Sequence, residues 1–260
     1  MVLPEAMDSV SKGTAGKRSP HLSIIVPAFN EARRLTATLD RLVSFAESRP
    51  FATEVLVVDN ASTDATKAVV TEFVSRIPFV RYLYEAIQGK GAAVRTGVMA
   101  ASGEYLLFSD ADLAVPIEEA DNFLPPRVPE CDIAIGSREA KGARRYDEPF
   151  RRHLMGRVFN LLVRGLLLPG LQDTQCGFKC FRRDVARDLF PASTVHGWSF
   201  DVEILHIARL RGYRIAEVPV PWYYGEESKV RPVRDTWRML NELRKIRENG
   251  RRGLYKPPGA

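Results

Sequence analysis

Leu22-Ser-Ile-Ile-Val-Pro-Ala-Phe-Asn30 is a short, solidly apolar, β-branched run that ends in Asn, and an amphipathic stretch from Glu31 to Ala46 follows it. That order predicts a buried strand, a turn capped by Asn30, and a helix. The plan then repeats. Glu54-Val-Leu-Val-Val-Asp59 is a second continuous apolar run, Asn60-Ala-Ser-Thr-Asp64 a polar turn, and Ala65 to Ile77 a second helix. Val80-Arg-Tyr-Leu-Tyr84 predicts a third strand and Lys90 to Ala101 a third helix. Glu104-Tyr-Leu-Leu-Phe-Ser109 predicts a fourth strand that runs into Asp110-Ala-Asp112, and Cys131 to Gly136 a fifth. Beyond about residue 140 the periodicity weakens and arginine becomes frequent, until Tyr213 to Val220 gives a last strand before a basic tail. Solid apolar strands alternating with helices predict an α/β fold, a Rossmann-like, mainly parallel sheet covered by helices on both faces. Ligands in such sheets sit at the carboxyl ends of the strands, so Asn30, Asp59, Asp110 and Asp112 are expected on one rim.

With 260 residues, 45% hydrophobic and 27% charged, the chain has ordinary globular composition. A disordered chain, a collagen-like repeat and a disulfide-stapled miniprotein are thereby excluded. Its formal charge is +6, and the placement is uneven: Ser228 to Ala260 holds ten basic residues against three acidic ones, a local +7 that leaves the other 227 residues at −1. A near-neutral body with a basic tail predicts contact with something anionic. Residues 1–20 mix Pro, Gly, Ser, Lys and Asp without an apolar core, and are expected to be a disordered leader, not a signal peptide. The main domain is expected over 21–225, and a basic C-terminal helix and tail over 226–260. Cys131, Cys176 and Cys180 lack the spacing of a zinc site and read as free thiols in a reducing compartment. The most apolar later stretch, Val158 to Leu171, is interrupted by Arg164, Gly165 and Pro169; at 14 residues it is shorter than the roughly 20 that span a bilayer.

Asp110-Ala111-Asp112 leaves a buried strand with two carboxylates and no imidazole or thiolate nearby in sequence. Such a pair suits Mg²⁺ or Mn²⁺, which keep their other positions for water and phosphate oxygens. A metal there would hold a nucleotide diphosphate and neutralise the charge that develops as it leaves. Gly89-Lys90-Gly91 opens a helix, where free N–H groups, the helix dipole and the lysine favour phosphate. The P-loop pattern GxxxxGK[ST] is absent, which disfavours a P-loop NTPase.

Four blocks in order over about 90 residues resemble the family 2 inverting glycosyltransferases of GT-A fold. They are Ile24-Ile-Val-Pro-Ala-Phe-Asn-Glu31, Val57-Val-Asp-Asn-Ala-Ser-Thr-Asp64, Gly89-Lys-Gly-Ala-Ala-Val-Arg-Thr-Gly97 and Phe108-Ser-Asp-Ala-Asp-Leu113. Ile135-Gly-Ser-Arg138, Asp173-Thr-Gln-Cys-Gly-Phe-Lys179, Phe200-Asp-Val-Glu203 and Glu227-Ser-Lys-Val230 are similar to the polyprenyl-phosphate branch, dolichyl-phosphate β-glucosyltransferases in particular. The resemblance covers roughly residues 20–245. It implies that Pro27, Ala28 and Glu31 contact the nucleotide, that Asp59 binds the base, and that Lys90, Asp110, Ala111 and Asp112 lie near the diphosphate and metal. It also places Gln175 at the sugar or the acceptor, and Arg138 and either Arg151 or Arg152 at the acceptor phosphate, joined by Lys229. Guanidinium forks suit phosphate oxygens. Asp201 occupies the position that serves as general base in members acting on hydroxyls; in phosphate-acceptor members it orients the donor sugar. Cys176 and Cys180 are expected to pack.

The implied activity is metal-dependent, inverting transfer of a hexose, glucose from UDP-glucose, to a polyprenyl phosphate. An ionised acceptor needs no strong base, only cations that hold it in line. The alternatives are GDP-mannose as donor, or a soluble or glycan hydroxyl as acceptor with Asp201 as base and Arg138 dispensable. The basic tail and the apolar Phe159 to Leu168 beside arginines are expected to hold the protein peripherally on the anionic cytoplasmic face of a membrane. A separate membrane protein is the other route to such an acceptor. Nucleic acid is not an expected partner, because RNP-type aromatics and zinc spacing are missing.

Overall fold

The computed structural model describes residues 19–225 and 232–257, so the leader up to residue 18 and Lys229 lie outside the described residues. The elements are β1 (Leu22–Ala28), α1 (Ala32–Glu47), β2 (Thr53–Asp59), α2 (Thr66–Arg76), β3 (Val80–Tyr84), α3 (Lys90–Ala100), β4 (Tyr105–Ser109), β5 (Ile133–Ser137) and β6 (Arg144–Tyr146). They continue with α4 (Phe150–Leu166), β7 (Phe178–Arg182), α5 (Arg183–Leu189), α6 (Phe200–Leu210), β8 (Ile215–Pro219), β9 (Pro221–Tyr223) and α7 (Pro232–Arg251). Seven strands form one sheet in the order β3-β2-β1-β4-β7-β5-β8, with β6 and β9 paired separately. The pairs are parallel except around β7, which runs antiparallel between β4 and β5. The expected Rossmann-like sheet is therefore present, and β7 is the strand the periodicity does not announce: Lys179 and Arg182 interrupt its apolar Phe178, Cys180 and Phe181.

Continuous apolar strands follow from burial on both sides. On one face Ile25, Leu56, Val58, Leu106 and Phe108 pack with Val94 and Val98 of α3. On the other, Ile24, Val26, Val55 and Val57 meet Leu35, Leu39 and Leu42 of α1 and Val70 and Phe73 of α2. Truncating one such leucine or isoleucine to alanine costs about 2–5 kcal/mol.

The two β–turn–α units cap each other. Asn30, in a left-handed conformation at φ 52°, accepts from the N–H groups of Thr63 (2.8 Å) and Asp64 (3.3 Å). In return, Glu31 N–H donates to Thr66 Oγ1 (2.8 Å) and Ala32 N–H to Asp64 Oδ2 (3.1 Å). The expected cap by Asn30 thus acts on the neighbouring turn, and α1 takes its cap from residues more than thirty positions later.

α7 packs on the core through one of its faces. Leu243 (2% exposed) and Ile246 (0%) lie in the core beside α6, and Tyr255 beyond the helix is 1% exposed. Leu243 and Ile246 turn inward because α6 offers them a drier surface than solvent does; the basic Arg244, Lys245, Arg247, Arg251 and Arg252 face out. Among the described residues no helix is long and apolar enough to cross a membrane. Cys176 and Cys180 are free and buried as expected, and burial pushes the Cys176 thiol up to about 12.

Candidate active site

β4 ends at Ser109, and the chain turns sharply through Asp110-Ala111-Asp112. Four hydrogen bonds fix the turn. Asp110 N–H donates to Gly177 O (3.2 Å), Leu113 N–H to Asp110 O (3.0 Å), Thr38 Oγ1 to Ala111 O (2.6 Å) and Ala114 N–H to Asp112 Oδ1 (3.1 Å). With the backbone committed, both carboxylates point outward, their side chains 36% and 35% exposed. Gly177 leaves room for Asp110 as it is placed, since a Cβ there would sit 2.0 Å from Asp110 Oδ2 and push the carboxylate aside. Burial first, and then the neighbouring Asp110, raise the pKa of Asp112. Two hard oxygen donors that repel one another favour a divalent cation, which would complete its shell from phosphate and water. No cluster of three His, Cys, Asp or Glu among the described residues would enclose the ion without such outside ligands. The donor set therefore fits Mg²⁺ or Mn²⁺.

Lys90, at the first position of α3, reaches Asp110 Oδ1 at 2.5 Å and lies 5.7 Å from the Trp198 ring centre. Burial alone would lower its pKa; Asp110 and then Asp201 raise it above the usual value. The flanking glycines do not present free N–H groups as expected. Gly91 N–H donates to His196 O (2.8 Å), and a Cβ on Gly89 would lie 2.1 Å from that same carbonyl oxygen. They let the helix start press against the 196–200 segment, and the group left to meet an anion is the Lys90 ammonium.

The expected nucleotide residues line the adjoining strand ends. Pro27 pairs with Val58 and Ala28 with Asp59 across β1 and β2. Asp59 is 2% exposed; its oxygens accept from Ser62 N–H and the Tyr82 hydroxyl, both at 2.9 Å. Burial and this hydrogen bond push the Tyr82 hydroxyl up to about 12. Glu31 pairs with Arg34 at 2.7 Å, and Arg34 extends to 3.8 Å from Asp112. That chain of charges joins the nucleotide side to the carboxylate pair.

On the other side of the rim, Arg138 follows β5. Its Nε and Nη2 bind Asp173 at 2.6 and 2.9 Å, and its N–H adds a third bond to the same carboxylate at 3.0 Å. This holds the Asp173 carboxyl well below its usual range despite burial. One edge of the guanidinium expected at the acceptor phosphate is thus committed within the protein, and its Cζ lies over the Trp222 ring, 5.5 Å from the ring centre. Gln175, half-buried, sits in the same Asp173–Gly177 loop, its N–H on Asp173 Oδ1 at 3.1 Å. Arg151 and Arg152 fall in the first turn of α4, and their side chains lie outside the described residues. β9 closes this side, with Tyr223 N–H on Ala114 O at 2.8 Å and Tyr146 and Tyr223 stacked at 4.5 Å.

Asp201 and Glu203, one D-x-E at the start of α6, have opposite fates. Asp201 faces the rim at 4% exposure, 2.9 Å from Lys179 Nζ. Burial raises its pKa, countered first by Lys179 and then by Lys90. Glu203, wholly buried, accepts from Ser193 Oγ (2.6 Å), Thr194 Oγ1 (2.8 Å), Val195 N–H (2.8 Å) and the Tyr255 hydroxyl (2.6 Å), so it anchors the loop before α6. Sequence reasoning gave no role to Lys179, Asp173, Trp198 or Trp222. A lysine inside an apolar run and a tryptophan in a Gly-containing loop were the available signals.

A model of Glycosyl transferase family 2 matches residues 23–190, which include the carboxylate pair, Lys90, Arg138 and Lys179. The chain belongs to glycosyl transferase family 2. Among its relatives, the dolichyl-phosphate beta-glucosyltransferase of Homo sapiens is 36% identical over 264 residues, covering 94% of this chain and 78% of that protein. The enzyme of the same name from Drosophila melanogaster is 38% identical over 241 residues, covering 86% and 74%. The crystal structure of glucosyl-3-phosphoglycerate synthase from Mycobacterium tuberculosis, in complex with Mn²⁺, UDP and glucosyl-3-phosphoglycerate, superposes with a TM-score of 0.62 at 19% identity, over 87% of this chain and 78% of that one. At that identity the likeness concerns the fold, which is GT-A. As a family 2 member the chain is a glycosyltransferase.

Proposed function

We propose that this glycosyltransferase moves glucose from UDP-glucose, with inversion, onto a dolichyl-type polyprenyl phosphate. The observation that carries the choice of acceptor is the state of Asp201. A base for a hydroxyl acceptor must accept a proton at the reacting atom; Asp201 is nearly inaccessible and ion-paired to Lys179 at 2.9 Å. A phosphate monoester arrives already ionised and asks for no such base. Relatives named for dolichyl phosphate and glucose support the same reading.

In this reading Pro27, Ala28, Glu31 and Asp59 seat the nucleotide, and Lys90 faces the diphosphate. Asp110 and Asp112, with Ala111 between them, would hold Mg²⁺ or Mn²⁺, which when bound neutralises charge on the leaving diphosphate. A phosphate oxygen of the acceptor attacks the anomeric carbon while its bond to UDP breaks, and UDP departs with the electron pair. Arg151 or Arg152, with Lys229, grips the acceptor phosphate; Arg138 adds charge and, through Asp173, holds the loop carrying Gln175 beside it. Asp201 acts from behind the sugar, through its pairing with Lys179.

The acceptor lies in a bilayer, and two surfaces suit peripheral attachment to its cytoplasmic face. Val158, Leu161, Leu162 and Leu166 share one face of α4 and are 43–66% exposed, with Arg157 and Arg164 alongside. The outward basic face of α7 is the second, and a membrane-protein partner would add to either. The donor is tested by incubating the protein and Mg²⁺ with a short polyprenyl phosphate and radiolabelled UDP-glucose, GDP-mannose or UDP-N-acetylglucosamine. Lipid-extractable label is expected from UDP-glucose, and preferential label from GDP-mannose would replace the donor assignment.

A further inference from the structure

Two lysines and three carboxylates share the rim, and the way they are paired is not symmetrical. Lys90 enters from α3 and pairs with Asp110 at 2.5 Å. Lys179 comes up from β7, where it lies opposite Phe108 of β4 and Ile135 of β5, in the middle of the sheet. It is 1% exposed. A lysine so placed is costly unless its charge and donors are met. Its ammonium has Asp201 at 2.9 Å, the Cys176 carbonyl at 2.7 Å and the Phe108 ring centre at 5.3 Å.

Asp201 has a second cation nearby: the start of α3 presses on the start of α6, where a Cβ on Gly91 would lie 2.6 Å from Phe200 Cβ, and Lys90 and Asp201 are the chain neighbours of these two residues. Lys90 thus has two carboxylates to choose from, the exposed Asp110 that it pairs with and the buried Asp201 beside the start of α6. A buried carboxylate without a counter-charge attracts the nearest mobile cation more strongly than an exposed one does, because water screens the exposed group. Lys90, at the end of a flexible stem, is that cation.

We propose that Lys179 is a positioning residue: by neutralising Asp201 it leaves Lys90 directed at Asp110 and the donor diphosphate. This rests on the reading above that Lys90 meets the diphosphate. Lys179 need not touch substrate to do so. Its second bond, to the Cys176 carbonyl, holds the loop whose Gly177 supports Asp110, so one buried ammonium aligns both the cation and the carboxylate that face the donor.

The test is calorimetric titration of UDP into the full-length protein in EDTA, which reads the Lys90 contribution apart from metal and turnover. K179M is expected to bind UDP about tenfold more weakly, the scale of one charged hydrogen bond. K179M/D201N, which removes the competing carboxylate as well, is expected to return to within about twofold of wild type. A purely structural lysine would lower the melting temperature of K179M and leave the UDP affinity of the folded fraction unchanged, and that result overturns the proposal. So does a double variant that stays as weak as K179M. If K179M does not fold, the double variant, free of an unpaired buried charge, carries the test: a tenfold loss of UDP affinity there contradicts the proposal. If wild type binds UDP only once Mg²⁺ replaces EDTA, the same comparison is made in Mg²⁺; failure of wild type to bind there as well would overturn the donor reading itself, whereas equal binding by wild type and K179M overturns only the role of Lys179.

Discussion

Asp173 shows how a single residue can organise a site from behind. Its carboxylate takes three bonds from Arg138 and one from Gln175 N–H, all within 3.1 Å, at 1% exposure. Removing one partner of a buried charged pair leaves the other uncompensated, so Asp173→Asn should cost about 3–5 kcal/mol in urea unfolding. Because the Asp173 pKa is depressed in the fold, its contribution is complete above the unfolded value of about 3.9 and fades only as pH falls below it. The gap between wild type and D173N should therefore be constant from pH 8 to pH 5 and narrow in stronger acid; a gap that closes near neutrality would place the stabilising charge elsewhere. This pair also marks a limit of sequence reading. Arg138 was visible as a cation at a strand end, but only folding shows that a carboxylate 35 positions away occupies half of its fork. Asp110 and Asp112 were legible because their whole context is local: an apolar strand, then two carboxylates.

Among the elements, the strand–turn–helix units of the first hundred residues were legible for the same reason, each carrying its own periodicity. β7 was not, since its buried Lys179 reads as surface until Asp201 on α6 is seen to neutralise it. What the inward Leu243 and Ile246 of α7 face is a long-range fact. Past that helix the Tyr255 hydroxyl reaches Glu203 at 2.6 Å, and Glu203 holds the 193–195 loop just ahead of His196, whose carbonyl receives the α3 start. The C-terminal segment is thereby tied to the donor side of the site. Tyr255→Phe, which removes one hydrogen bond to a buried carboxylate, should destabilise by about 1.5–3 kcal/mol. It should also increase hydrogen exchange at the amides of Val195 and Gly91. Unchanged protection at both would separate the tail from that loop.

For the whole molecule, the uneven charge seen in composition becomes a matter of orientation. The basic face of α7 and the exposed apolar face of α4 are the surfaces through which a near-neutral body would meet an anionic bilayer. Each lysine or arginine near such a surface contributes about 1 kcal/mol, so R244E/K245E/R247E should abolish pelleting with phosphatidylserine vesicles at low salt. Leu161→Asp should weaken it at every salt concentration. Pelleting indifferent to both would leave a membrane partner as the carrier. The acceptor is decided by offering the purified protein UDP-glucose and Mg²⁺ with a polyprenyl phosphate or the matching polyprenol. Glucosylated lipid is predicted from the phosphate alone; equal or greater product from the free alcohol would rule out the phosphate as the natural nucleophile and return Asp201 to the role of base.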